Sequence, residues 1–377
     1  MDFGLSEEQE LLQRSVRDFL ERECPVTFVR EMMRSDDGFS RSLHRKMAEQ
    51  GWPGLMIPEG FGGLGLGMLD LAVLSEEMGR ALLPGPYFSS AVLATLMLVY
   101  SGAAALKKQW LPRLAAGEAV GTVAIVEESD RFDAAGIAAR CVRRAGGFRL
   151  NGTKLFVTDA HVSDFIIGVF RSRGRDAAGV SLFLVPRETP GISVSPLQSI
   201  DQTRRPCEVV FRDVDVPASA RLADDSRGWG LISRIIDAAC VVLAADSLGG
   251  AQRALEMSVE YAKVREQFGR PIGSFQAVKH ILAEMVSDIE PARSLVWYAA
   301  YACDAEPRSA ARAAAMAKAR LNDVYSRTAN RAVQIHGGIG FTWEHDMHLW
   351  FKRAKWNETA FGDATFHRER VAQLAGL

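Results

Sequence analysis

The chain has 377 residues, 48% hydrophobic and 24% charged, as in an ordinary globular protein with room for two or three domains. A net charge of −1 removes the case for a broad nucleic-acid or anionic-membrane surface, and the apolar stretch 91–98 is too short to span a bilayer. Five dispersed cysteines without metal spacing, and seven histidines without an HExxH or Cys-His cluster, read as reduced thiols of a cytoplasmic protein that holds no metal.

Residues 1–120 read as a helical domain. Met1-Asp2-Phe3-Gly4 runs directly into an acidic amphipathic helix, so no signal peptide is expected. Ser6-Glu-Glu-Gln9 has the form of a capping box, and Leu11, Val16, Phe19 and Leu20 continue an apolar face at helical spacing. The glycine-rich stretch 58–67 breaks the helices. No apolar strand precedes it, which argues against a dinucleotide-binding βα turn. A helix carrying Glu76, Glu77 and Arg80 then resumes over 71–82.

From 121 to 228 the period changes to that of strands. Residues 148–157 read as a hairpin turning at Asn151-Gly152, a pair suited to the positive backbone angles of a type I′ turn. Further short strands over 165–170, 180–185 and 208–211 predict a β-barrel or sandwich domain. Residues 229–377 are helical again, with long segments over 246–267, 274–303, 309–334 and about 344–374 that suggest an antiparallel four-helix bundle. The expected fold is α+β and multidomain.

Two stretches carry the chemistry. Tyr261-Ala-Lys-Val-Arg-Glu-Gln-Phe-Gly-Arg-Pro-Ile-Gly-Ser-Phe-Gln276 is placed on a helix that turns at Gly269 and Pro271, presenting Arg265, Gln267, Phe268 and Gln276 along one corner. Gln334-Ile-His-Gly-Gly-Ile-Gly-Phe341 follows near the C-terminus. A dinucleotide diphosphate needs a fixed cation and closely approached backbone N–H groups, which glycine permits. With Phe156-Val-Thr158 directly after Leu150-Asn-Gly-Thr-Lys154, and with the 58–67 loop, these stretches resemble the acyl-CoA dehydrogenase family over essentially the whole chain.

The resemblance implies FAD as cofactor, an acyl-CoA substrate dehydrogenated between its α and β carbons, and an electron-transfer flavoprotein as acceptor. It also implies a homo- or hetero-oligomer, dimer or tetramer. Phe156 is expected against the isoalloxazine ring, and Thr158 near the flavin's reactive nitrogen. Arg265 and Gln276, with Gln267 in the same corner, are expected to hold the diphosphate or adenosine end of a neighbouring subunit's flavin. Phe268 would pack on its adenine or ribose side, and Gln334, Gly337 and Gly338 would meet another part of the same cofactor.

Three departures qualify the resemblance. The family's T-E-P-x-A-G-S-D turn is replaced by Ala124-Ile-Val-Glu-Glu-Ser-Asp130, in which valine stands for the threonine and the small-residue turn is shortened, with Ser129 as a candidate survivor. Anchoring on Ala354-Lys355 and Gly362 puts Phe361 where the catalytic glutamate usually stands, and a phenyl ring accepts no proton. The family's alternative base position, on the first helix of the bundle, holds Ala239, followed by Cys240. Asp246, about two turns beyond Ala239, and Asp363 are then the leading candidate bases, ahead of Glu358. Asp237 matches an aspartate tied to the family's substrate pocket. An active enzyme with a relocated base, a subunit whose partner chain supplies the base, and a scaffold that has lost FAD remain as readings. The ending 361–370 is similar to small subunits of bacterial hetero-oligomeric acyl-CoA dehydrogenases, and the retained clamp argues against the scaffold.

Overall fold

The computed structural model describes residues 4–377, so Met1-Asp2-Phe3, on which the expectation of no signal peptide falls, lies outside the described residues. In chain order the α-helices are α1 (Glu7–Glu23), α2 (Val26–Arg34), α3 (Arg41–Glu49), α4 (Met68–Arg80), α5 (Thr95–Tyr100) and α6 (Ala104–Ala115). After the strands come α7 (Gly228–Val264), α8 (Gln276–Ala305), α9 (Pro307–His336), α10 (Met347–Thr359) and α11 (Ala364–Ala375). Among the described residues no helix is long and apolar enough to cross a membrane. The chain divides into two compact units. One comprises Met32–Gly67 and Pro84–Ile236; the other comprises Met68–Leu83 and Asp237–Leu377 with the N-terminal segment through Glu31.

The first unit is built on eight strands: β1 (Gly121–Ala124), β2 (Arg140–Arg144), β3 (Gly147–Thr158), β4 (Phe165–Arg171), β5 (Val180–Pro186), β6 (Ile192–Pro196), β7 (Pro206–Pro217) and β8 (Arg221–Ala223). They form one sheet in the order β6-β7-β3-β2-β4-β5-β8, with β1 added parallel to β4. Leu150, Phe170, Phe183, Val209 and Phe211 fill its core. Phe170 meets Phe211 edge to face at 5.0 Å, an arrangement favoured by the ring quadrupoles.

The expected hairpin at Asn151-Gly152 is not there. β3 runs unbroken through both residues against β7, and the chain reverses earlier, between Arg144 and Gly147. Asn151 and Gly152 instead mark a register shift between Leu150 and Gly152. Asn151 Oδ1 accepts the backbone N–H of Asp213 at 2.8 Å, and a Cβ on Gly152 would stand 2.4 Å from that of Ala139. The pair reads as a turn from its composition, yet it serves a bulge and a close packing contact, the other use of glycine in a strand.

The second unit is helical. Ser6 accepts the N–H of Gln9 while Gln9 Oε1 accepts that of Ser6, so the capping box of α1 is closed. Three expectations change here. α7 starts at Gly228, well before Asp246, and ends at Val264. The stretch after it is not helical: Glu266–Gln267 (β9) and Arg270–Pro271 (β10) form a small antiparallel hairpin. The last predicted helix is broken between Thr359 and Ala364 into α10 and α11.

Candidate active site

Along β3, Leu150 and Lys154 point inward at the strand period of two, which would send Phe156 inward as well. A register shift between Lys154 and Val157 prevents that. Three steps along β3 match two along β7, from Val209 to Cys207, so one residue is extra. Val157 becomes the inward residue, and Phe156 turns out, 58% exposed, at a φ of 54°. Positive φ is costly for an aromatic residue and concentrates where function needs it. Thr158 ends the strand, buried, and its carbonyl accepts the hydroxyl of Thr122 at 2.6 Å.

The loop after β1 is held by a buried pair that the sequence reading missed. Lys154 Nζ lies 2.6 Å from Glu127 Oε1 and 3.2 Å from the carbonyl of Ile125. Glu127 also accepts the backbone N–H groups of Ala138 and Ala139. Burial pushes Lys154 down to about 8 despite its partner. Ser129 spends its hydroxyl on the carbonyl of Gly136. A lysine at an inward strand position was the available signal, since lysine is rarely buried without an acid.

In the helical unit the hairpin turns at Phe268 (φ 56°) and Gly269 (φ 75°), the two left-handed residues of a type I′ turn. The amide of Ile272 bonds back to the carbonyl of Arg265 at 2.8 Å and closes the loop. Phe268 is 93% exposed, so it is not a core residue, and Arg265, Gln267 and Gln276 are exposed beside it in the chain. Among the described residues the Arg265 guanidinium forms no ion pair. Gln334 is exposed on the last turn of α9, and Gly337 caps that helix with a φ of 65°. A Cβ added at Gly337 or Gly338 would meet no atom within 4 Å, leaving this backbone open to a ligand. Tyr261 stacks on His336 at 4.5 Å, which joins the end of α7 to the glycine run. The two sequence stretches are thereby brought together. An unpaired guanidinium, an exposed ring and open glycine backbone suit a phosphate-bearing aromatic ligand.

The segment where the resemblance expects the base is a turn. Phe361 (φ 58°) and Gly362 (φ 103°) make the turn between α10 and α11. The Phe361 carbonyl lies 2.9 Å from His367 Nε2, and since a carbonyl only accepts, Nε2 carries the proton. Gly362 O accepts from the buried Lys318 at 3.2 Å, and Lys318 also bonds Asn322 Oδ1 and the carbonyl of Asn357, both at 2.7 Å. Ala239 and Cys240 are both buried in α7. Burial pushes the Cys240 thiol up to about 12, so it offers no thiolate.

The candidate acids are all engaged. Asp246 is buried, with Oδ2 accepting from Arg353 at 3.0 Å and Oδ1 from Asn357 at 2.7 Å. Asp363 is the N-cap of α11, accepting the amide of Phe366 at 2.7 Å. Glu358 accepts from Lys355 at 2.9 Å and from Ser326 at 3.0 Å. Asp237 lies 2.6 Å from Arg370, although burial holds its carboxyl above the usual range.

Comparison with known proteins agrees with this architecture. Family models of the N-terminal, middle and C-terminal domains of acyl-CoA dehydrogenase match residues 6–118, 122–214 and 226–375. The chain is 34% identical to an acyl-CoA dehydrogenase, IpdE2, of Mycobacterium tuberculosis over 349 residues, covering 92% of this chain and 91% of that one. It is 32% identical to the probable acyl-CoA dehydrogenase YngJ of Bacillus subtilis, covering 99% of each. A chain in the solved ChsE4-ChsE5 complex of M. tuberculosis superposes with a TM-score of 0.89 at 29% identity, over 100% of this chain and 99% of that one.

Proposed function

Because this chain belongs to the acyl-CoA dehydrogenase family, whose members are FAD-dependent, we propose that it supports α,β-dehydrogenation of an acyl-CoA thioester as a subunit without the catalytic base. FAD, when bound, supplies the acceptor for the hydride that leaves the β-carbon. Phe156, turned outward by the β3 bulge, offers a flat apolar face to the ring system, and Thr158 follows it with a hydroxyl and a backbone N–H. Arg265 and Gln276 bind the diphosphate and adenosine end from an adjacent subunit, with Phe268 and Gln267 beside them. Gln334, Gly337 and Gly338 hold another part of the same molecule, where missing side chains let amides approach. Asp237, fixed by Arg370, lies on the substrate side.

One observation supports the subunit reading: at the position that the family pattern gives to the base stands Phe361, and each candidate acid already has a partner. A base must reach the α-proton with a free lone pair. Asp246 could offer one only by weakening its buried bonds from Arg353 and Asn357. Asp363 keeps Oδ2 free, but it is exposed and its Oδ1 is committed to capping α11. A carboxylate of a partner chain meets the need without disturbing Asp246, and an electron-transfer flavoprotein then takes the electrons onward. The competing reading, an active single-chain enzyme, uses Asp246 at the expense of its buried bonds or the exposed Asp363.

The test is to purify the chain alone and with the protein that co-purifies from its native source, then add acyl-CoA without oxygen and follow flavin absorbance. Bleaching in the pair, with sub-stoichiometric flavin and no bleaching in the lone chain, is expected. Bleaching by the lone chain would overturn the subunit reading, and a colourless protein in both preparations would overturn the FAD assignment.

A further inference from the structure

The stretch of β3 that carries Phe156 is weakly held by its neighbours in the sheet. On one side, β2 pairs with β3 only as far as Arg140 opposite Asn151. On the other, two residues, Leu155 and Phe156, stand against the single Glu208 of β7, between the pairs Lys154–Val209 and Val157–Cys207. Backbone groups there need partners from elsewhere. The chain after β1 supplies them. The Leu155 amide bonds to the carbonyl of Val126 at 2.9 Å, and the Thr158 carbonyl accepts the Thr122 hydroxyl at 2.6 Å. Phe156 sits between these two holds, at a φ of 54° that an aromatic residue keeps only under constraint.

The first hold depends on where residues 125–127 lie, and Glu127 fixes that by tying three segments together. Its Oε1 lies 2.6 Å from Lys154 Nζ on β3. Its carboxylate also accepts the amides of Ala138 and Ala139, just before β2, at 2.9 and 3.1 Å. Lys154 gives a second bond to the carbonyl of Ile125 at 3.2 Å. Residues 125–127 are thereby laid along β3 at Lys154 and Leu155, next to Phe156. The Lys154 side chain is wholly buried, and that of Glu127 is 9% exposed. A buried ion pair adds little net stability over well-packed apolar groups, and its best attested use is to fix register. The register fixed here is that of the bulge.

We infer that Lys154 and Glu127 are positioning residues for the flavin-facing ring: by pinning residues 125–127 along β3, they hold Phe156 in its outward, left-handed conformation. The inference rests on the flavin reading of Phe156 and adds to it two residues that act only through that ring.

Glu127→Gln tests it, since the amide keeps an acceptor for Ala138 and Ala139 but loses the charge. Lys154→Met, which keeps the length of the side chain, is the second variant should the first not fold. Amide hydrogen exchange of the full chain without flavin is followed by mass spectrometry. Exchange over residues 155–158 should quicken about tenfold or more, with β4 and β5 unchanged. FAD is then titrated into the same chains and into Phe156→Ala. Phe156→Ala should weaken FAD binding about three- to tenfold, the scale of one aromatic contact. Glu127→Gln should weaken it comparably and shift the absorption bands of the bound flavin in the same direction. Added to Phe156→Ala, it should change the affinity by less than about twofold, because both act through one ring. Effects that multiply in full, or unchanged exchange over 155–158, overturn the inference and leave the flavin reading standing. Exchange that quickens across the whole sheet assigns the pair to stability alone and also overturns it. A parent chain that takes up no FAD overturns the flavin reading, and the positioning role falls with it.

Discussion

The helical unit contains two Phe-Gly turns of similar backbone form and opposite use. Phe268-Gly269 has φ values of 56° and 75°, and Phe361-Gly362 has 58° and 103°. At the first, the hairpin closes on its own backbone bonds, and the side chains of Phe268, Arg265 and Gln276 are left to solvent. At the second, Lys318, Asn322 and His367 reach in and take the carbonyls of Gly362 and Phe361. Backbone conformation alone therefore does not mark a site. What separates the two turns is whether the protein has already used their polar groups. Among the described residues, the first leaves the Arg265 guanidinium without an ion pair beside a 93% exposed Phe268 ring that meets only the edge contact with Phe275 among the described rings.

The comparison breaks most severely if the polar network around the closed turn is not needed. Arg353→Met would strand the Asp246 carboxylate in the interior, and a loss of about 3–5 kcal/mol in denaturant unfolding is expected. A loss under about 1 kcal/mol would show that Asp246 is freer than its burial indicates and would restore it as a base candidate.

Acid should loosen the same turn. His367 is pushed down to about 4, chiefly by burial, with the nearby Lys318 charge adding to the effect. Between its unfolded value of roughly 6.5 and 4, the unfolded chain binds a proton that the native one refuses, so stability falls as pH drops through that window. Up to about 3 kcal/mol is at stake from this residue. His44 and His348, both also pushed down to about 4, add to the slope. His367→Asn should flatten the slope of unfolding free energy against pH by about one proton's worth; an unchanged slope would contradict the buried neutral imidazole.

At the open turn, Arg265→Ala should leave stability nearly unchanged and cut flavin affinity about tenfold or more, read as flavin content after dialysis. Unchanged flavin content would remove the clamp. The smallest effect is at Asp363. Loss of the N-cap in Asp363→Ala should cost about 1 kcal/mol in thermal unfolding, whereas Asp363→Asn, which caps equally well, should be nearly silent in stability and turnover. A large activity loss in Asp363→Asn would mark it as the base.

Much of this was legible because it is local. The helical, strand and helical stretches follow their own periods, and the clamp and glycine run are contiguous in sequence. What stayed hidden depends on partners far along the chain. Gly152 reads as a turn residue until Ala139 is seen packed against it. The I′ turn at Phe268-Gly269 was missed because phenylalanine is a rare occupant of positive φ. The bond to Asp246 from Arg353, 107 residues away, is invisible to helical spacing. The outward turn of Phe156 comes from a one-residue excess that only the pairing with β7 defines.

The central claim is that this chain grips a flavin but cannot itself remove the α-proton. Incubating the lone, flavin-loaded chain with an acyl-CoA in deuterated water, and following deuterium uptake at the α-carbon by mass spectrometry, tests it without requiring turnover. The account predicts no exchange above the rate in buffer until the partner chain is added. Exchange catalysed by the lone chain would place a working base within it and contradict the account.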